Sequence, residues 1–211
     1  MRYLKTFLIS LIFVAFASAK SFAEVKFGIS AALTDIDATG TETQEGDSEK
    51  TNGSADNLVI IPSIFAEYDL GGITVGLDYI PLEADISKNT RSRQEPDGSS
   101  DVGSEADTGT NKAQAELENH LTLYTEIPVA GVIAKAGYVM VDVNTLESLD
   151  TGSTYGNDSV EGYLIGVGFE SGNYKVLLEY VDYDTVSVSS STGNKIEADI
   201  DTTNIRVAYT F

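Results

Sequence analysis

From Val25 to Phe211 apolar and polar residues alternate one by one, in stretches of about ten, with almost no helical period. A period of two sends successive side chains to opposite faces of an extended strand, so each stretch is a strand with one apolar face. The first runs from Val25 to Leu33, with its odd positions apolar. The second covers about 57–70, with Ile64, Ala66, Tyr68 and Leu70 against Phe65, Glu67 and Asp69. In the third, Ile73, Val75, Leu77 and Tyr79 oppose Thr74, Gly76 and Asp78. The fourth, about 113–127, sets Leu117, Leu121, Leu123 and Ile127 against Glu116, Glu118, His120, Thr122, Tyr124 and Glu126.

The second half repeats the scheme. Val132, Ala134, Ala136, Tyr138 and Met140 share a face opposite Lys135 and Gly137, with Ile133 and Val139 as apolar exceptions. Tyr163, Ile165, Val167 and Phe169 oppose Leu164, Gly166, Gly168 and Glu170. Tyr174, Val176, Leu178 and Tyr180 oppose Lys175, Leu177 and Glu179. The last stretch sets Ile205, Val207, Tyr209 and Phe211 against Asn204, Arg206, Ala208 and Thr210, which makes eight strands. Their connections alternate in length. Tight turns at Gly71-Gly72, Pro128–Gly131 and Ser171–Asn173 alternate with long polar loops near 37–56, 87–112, 144–159 and 189–195. An up-and-down antiparallel barrel crossing a membrane has this asymmetry, with short turns on one rim and long loops on the other.

Composition is consistent with that fold. Hydrophobic residues make up 42 % of the chain, but the mean hydropathy of −0.06 is too low for a helical membrane protein. Arg2 and Lys5, the apolar run Phe7–Ala17 and the small residues after it have the layout of a secretory signal peptide. Cleavage is expected after Ala19 or after Ala23, leaving residues 1–23 as leader and 24–211 as barrel. The leader holds three bases (Arg2, Lys5, Lys20) and no acid, so its removal takes the net charge from −20 to −23. Such a surface repels nucleic acid and anionic lipid as direct ligands and attracts divalent cations. With no cysteine, a disulfide scaffold and a thiolate metal site are both excluded.

In a soluble, lipocalin-like barrel the apolar face would point inward. Here the polar face carries Lys26, Glu67, Asp78, Glu116, Glu118, Glu126, Lys135, Glu170, Lys175, Glu179 and Arg206, interleaved with glycines. Such a mixture suits a narrow interior with paired charges, since unpaired buried charges are costly. Tyr79, Tyr138, Tyr163 and Tyr180 fall at one expected height, as an upper aromatic girdle, and Tyr68, Phe169, Tyr174 and Phe211 gather near the short turns as a lower one.

The ending Ile205-Arg206-Val207-Ala208-Tyr209-Thr210-Phe211 resembles that of the small outer-membrane barrels of the OmpA transmembrane-domain and OmpX type, a porin-family architecture. The resemblance implies a monomeric barrel in the bacterial outer membrane, with lipid and lipopolysaccharide around it. It also implies that Phe211 is read by the barrel-assembly machinery; some relatives carry a peptidoglycan-binding domain, but no room for one follows Phe211, so no cell-wall tether is expected.

Candidate chemistry is sparse. His120 has inward parity, whereas a lipid hydrolase needs its catalytic groups outward near a rim, and no G-x-S-x-G context accompanies it. It is expected to belong to the interior polar network. Asp182 and Asp184 continue the outward parity of the seventh strand, Asp199 and Asp201 that of the eighth, and Glu83 and Asp85 that of the third. Hard oxygen ligands at the extracellular rim suit Ca²⁺ or Mg²⁺ shared with lipopolysaccharide phosphates. The plainer reading is a solvated acidic strand extension. Asp182-Tyr183-Asp184 lacks the glycine and terminal Glu of an EF-hand, so no dedicated calcium site is expected, nor any cofactor or catalytic residue. The expected role is envelope integrity or surface interaction through long acidic loops; the alternatives are a narrow channel for small solutes and a lipid-modifying enzyme.

Overall fold

A computed structural model describes residues 25–43, 50–86, 91–94, 110–148, 154–191 and 193–211. The leader, Glu24 and parts of the four long loops lie outside these residues. Eleven strands form one antiparallel sheet: β1 (Val25–Thr43), β2 (Lys50–Asp69), β3 (Thr74–Ile80), β4 (Ala84–Asp85), β5 (Arg91–Gln94), β6 (Thr110–Val129), β7 (Val132–Ser148), β8 (Asp158–Ser171), β9 (Tyr174–Tyr183), β10 (Val186–Ser189) and β11 (Lys195–Thr210). β4 and β5 carry β3 upward along β6, and β10 carries β9 upward along β11. The pairing of β1 with β11, from Gly28↔Thr210 to Thr43↔Lys195, closes the sheet into a ring of eight staves. The Phe211 amide, donating to Phe27 O at 2.9 Å, completes the seam.

The short turns follow from their residues. Asp69 accepts from the amides of Gly71 (2.7 Å) and Gly72 (3.3 Å), which holds its carboxyl below the usual range. Ala130 and Gly131 both have positive φ (51° and 88°), as a two-residue hairpin requires, so this turn is tighter than the Pro128–Gly131 expectation. The expected outward apolar face is the exposed one: Phe27, Ile29, Ile165, Phe169, Val176 and Ile205 are each half or so exposed. An apolar belt of this kind around the barrel is what a hydrocarbon solvent demands, and closure satisfies the backbone inside it. Tyr138 and Tyr163 are register partners on this face with ring centroids 5.7 Å apart, and Tyr174, Tyr209 and Phe211 stack near the short turns.

Two expectations are corrected. Much of the long "loops" is strand: β1 and β2 stay paired up to Thr43↔Lys50, inside the span expected to be a mobile loop. The sequence hides this because polarity changes phase above the belt. On β1, Phe27, Ile29 and Leu33 face out below while Asp35 and Asp37 face out above, and inward Ile36 is fully buried. The second correction lies on β6. A bulge between Glu118 and Leu121, with Asn119 at φ 50°, inverts the faces there. Leu117 therefore points inward and is buried, while Glu116 and Glu118 are not lumenal as their parity with His120 suggested.

Candidate functional site

The lumen has two storeys. In the lower one Glu67, Asp78, Glu126, Glu179, Lys135, Lys175 and Arg206 are all buried, as their parity predicted. Lys175 Nζ donates to Glu67 Oε1 and to Glu126 Oε2 (2.6 Å). Glu179 accepts from Lys135 Nζ at Oε1 and from Arg206 Nε at Oε2, both at 2.7 Å. Arg206 Nη1 also reaches Ser30, Ser63 and Asp78. The Tyr124 hydroxyl donates to Glu67 (2.9 Å), and its ring lies 3.9 Å below Lys135 Nζ. Glycine makes room for the ring: a Cβ at Gly76, its register partner, would fall 2.1 Å from it. Seven of the eight staves, all but β8, thus meet in one network that fills the bore. Of the other charges expected inside, Lys26 is half-buried at the short-turn mouth and Glu170 is exposed.

The upper storey is aliphatic. Ile36, Leu117, Val139, Val141, Val143, Val160, Val181 and Ile200 form one buried cluster with Tyr183, Val186 and Val188. His120 sits beneath it, inside the barrel as expected, its Nε2 bonded to the Tyr183 hydroxyl at 2.9 Å. Among the described residues His120 Nδ1 and Asp78 Oδ1 have no protein partner. A cavity of about 30 Å³ lined by His120, Arg206, Leu164 and Val181 adjoins the histidine, with room for a water or two.

Outside the upper storey the surface is acidic. Of the four predicted rim residues, Asp182 and Asp201 are direct register partners. Asp201 in turn faces Asp37, which faces Asp56, so four aspartates stand side by side across β9, β11, β1 and β2. Burial and its neighbours Asp37 and Asp182 push the Asp201 carboxyl up. Asp199 accepts from the Thr185 hydroxyl (2.7 Å), and Asp184 is exposed with its amide bonded to Glu161 O. Sequence reasoning missed Asp37 and Asp56 because it assigned them to a loop. A second group forms where the bulge turns β6: carboxylate oxygens of Glu83, Glu116 and Glu118 lie within 4.8 Å of one another, a spacing that fits one hard cation. Burial, then Glu83, Asp85 and Glu118, raise the Glu116 carboxyl.

No family model and no curated protein matches the chain. Among solved structures, Neisserial surface protein A superposes with a TM-score of 0.50 at 14 % identity, covering 90 % of this chain and 100 % of that one. Looser likenesses are Ail, the attachment invasion locus protein of Yersinia pestis solved with the heparin analogue sucrose octasulfate, and the Pseudomonas putida toluene transporter TodX. Ail gives a TM-score of 0.33 at 10 % identity, over 85 % of this chain and 98 % of that one. TodX gives 0.37 at 10 %, over 92 % and 69 %. Only the first superposes closely enough to describe the fold. With its closed ring and exposed apolar belt, the chain has the fold of a small eight-stranded bacterial outer-membrane β-barrel.

Proposed function

We propose that the protein is a monomeric, non-enzymatic barrel that strengthens the envelope and presents an interaction surface. In this reading its acidic collar engages lipopolysaccharide phosphates through shared divalent cations. The row Asp56–Asp37–Asp201–Asp182 supports it most. Like charges directly opposite on neighbouring strands repel, and such a row above a lipid-facing belt gains stability when a cation neutralises it. The lumenal setting of His120, away from lipid, favours a non-enzymatic role, and the filled lower bore favours a plug over a channel. Exposed Phe211 fits the proposed signal to the assembly machinery.

The test is a Mg²⁺ titration of thermal stability in vesicles with and without lipopolysaccharide, on the native chain and on D37N/D182N/D201N. A Mg²⁺-dependent rise in Tm that needs both lipopolysaccharide and the aspartates is expected. An equal rise in the triple variant would reject the collar as the point of contact.

A further inference from the structure

The barrel wall is not zipped evenly. β1 and β2 pair over their whole length, but the ladder between β2 and β3 runs only from Asp69↔Thr74 to Ile64↔Tyr79. Continuing that register would set Pro62 opposite Pro81. Two residues without an N–H cannot exchange amide hydrogen bonds, and proline interrupts a ladder from within. Above this point β4 pairs only with β6 among the described residues. The link that does cross from β2 to β4 is a side-chain one, Asn57 Nδ2 donating to Asp85 O at 2.7 Å.

Behind this seam lies the cavity at His120. Its walls include Ile61, Ile80, Ala84, Leu117 and also Leu82, which is 56 % exposed. One residue thus both lines the cavity and is open to the surroundings, at the interruption of the ladder. The outer flank is apolar as well. Leu58 and Ile60 are 51 % and 73 % exposed, and Leu58 faces Asp35 of β1, so on β2 the belt rises beside a stave that has already turned acidic.

We propose that the seam between β2 and β3–β4 is a lateral port through which the alkyl chain of a bilayer lipid enters the upper lumen. Three observations converge on that occupant. The port opens at the level of Tyr79, its lip continues the lipid-facing belt, and the cavity behind it is walled mainly by aliphatic side chains, with Thr34, His120, Thr202, Asn204 and Arg206 as its polar part. The cavity holds only water-sized contents, so entry requires β2 and β4 to part, and the Asn57–Asp85 bond is a contact that must break. This goes beyond the envelope role and does not depend on the collar.

The experiment uses the full native barrel in phosphatidylcholine vesicles containing a phospholipid with a diazirine midway along its acyl chain. After irradiation, adducts are mapped by mass spectrometry. Adducts on Ile80, Leu117 or Leu164 as well as on the belt residues Ile60 and Ile165 are expected, with the lower-lumen Leu177 unlabelled. Adducts confined to the belt would overturn the port, and equal labelling of Leu177 would show a loosened barrel and overturn it too. A P62T/P81T variant restores both amide donors and should lose the lumenal adducts while keeping those on the belt. Lumenal labelling that persists unchanged in that variant would remove the seam as the route.

Discussion

The lower and upper lumen are built on opposite principles inside one set of staves. Below, four carboxylates and three cations interlock beneath a lipid-facing wall; above, aliphatic side chains fill the bore behind a wall that is acidic on β1, β9 and β11. The lower storey is cooperative: each charge is tolerable only while its partners remain. The upper storey is additive, as in a soluble β-protein, where each methyl removed costs about its own transfer and cavity terms. The belt therefore marks where the barrel changes from one kind of core to the other.

Removing Glu179 should break this contrast most severely. Glu179→Ala leaves Lys135 and Arg206 buried without their shared acceptor, and about 3–5 kcal/mol should be lost from the denaturant unfolding free energy in vesicles. Adding Lys135→Met to that variant should cost less than the two single changes summed. In the upper storey Val141→Ala should cost roughly 2 kcal/mol, with no such recovery from a second substitution. Gly76→Ala, which drives a methyl into the Tyr124 ring, should lose about 1–3 kcal/mol by the same measurement. At the bulge, Asn119→Val should cost about 1–2 kcal/mol through its left-handed backbone, whereas Asn119→Gly should be near neutral.

The smallest expected effect is on pH. Asp201 and Glu116 have raised carboxyls, so between the unfolded and folded values the folded state binds more protons. The contribution of these two groups to stability should therefore be fully present below that window and be lost as pH rises through it, above about 4. Thermal melts in the absence of divalent cations should show the slope, and it should flatten in D201N.

Strand number, short turns, belt and lower network were all legible, because each depends on a period of two that holds through the belt. The upper storey was not. On β1 and β9 the inversion is written in composition: outward Leu33 gives way to Asp35, and outward Tyr180 to Asp182. Read with a single polarity, such segments look like loops. On β6 composition does not change phase. Glu116, Glu118 and His120 keep one parity in the sequence, and geometry makes the switch instead. Asn at a left-handed position is the lone local signal, and many turns share it. The aspartate row was hidden for another reason: it exists only across strand pairings, between residues far apart in the chain.

That bulge has a consequence for how the barrel tolerates change. It acts like a frame shift, since one surplus residue decides which half of the upper β6 segment faces the lumen. A foreign loop joined above Leu121 would succeed or fail on whether it brings an odd or an even count of residues to that junction. Exchange of surface loops between barrels of this kind would then be governed by parity as much as by sequence, and Asn119 would have to travel with the segment whose phase it sets.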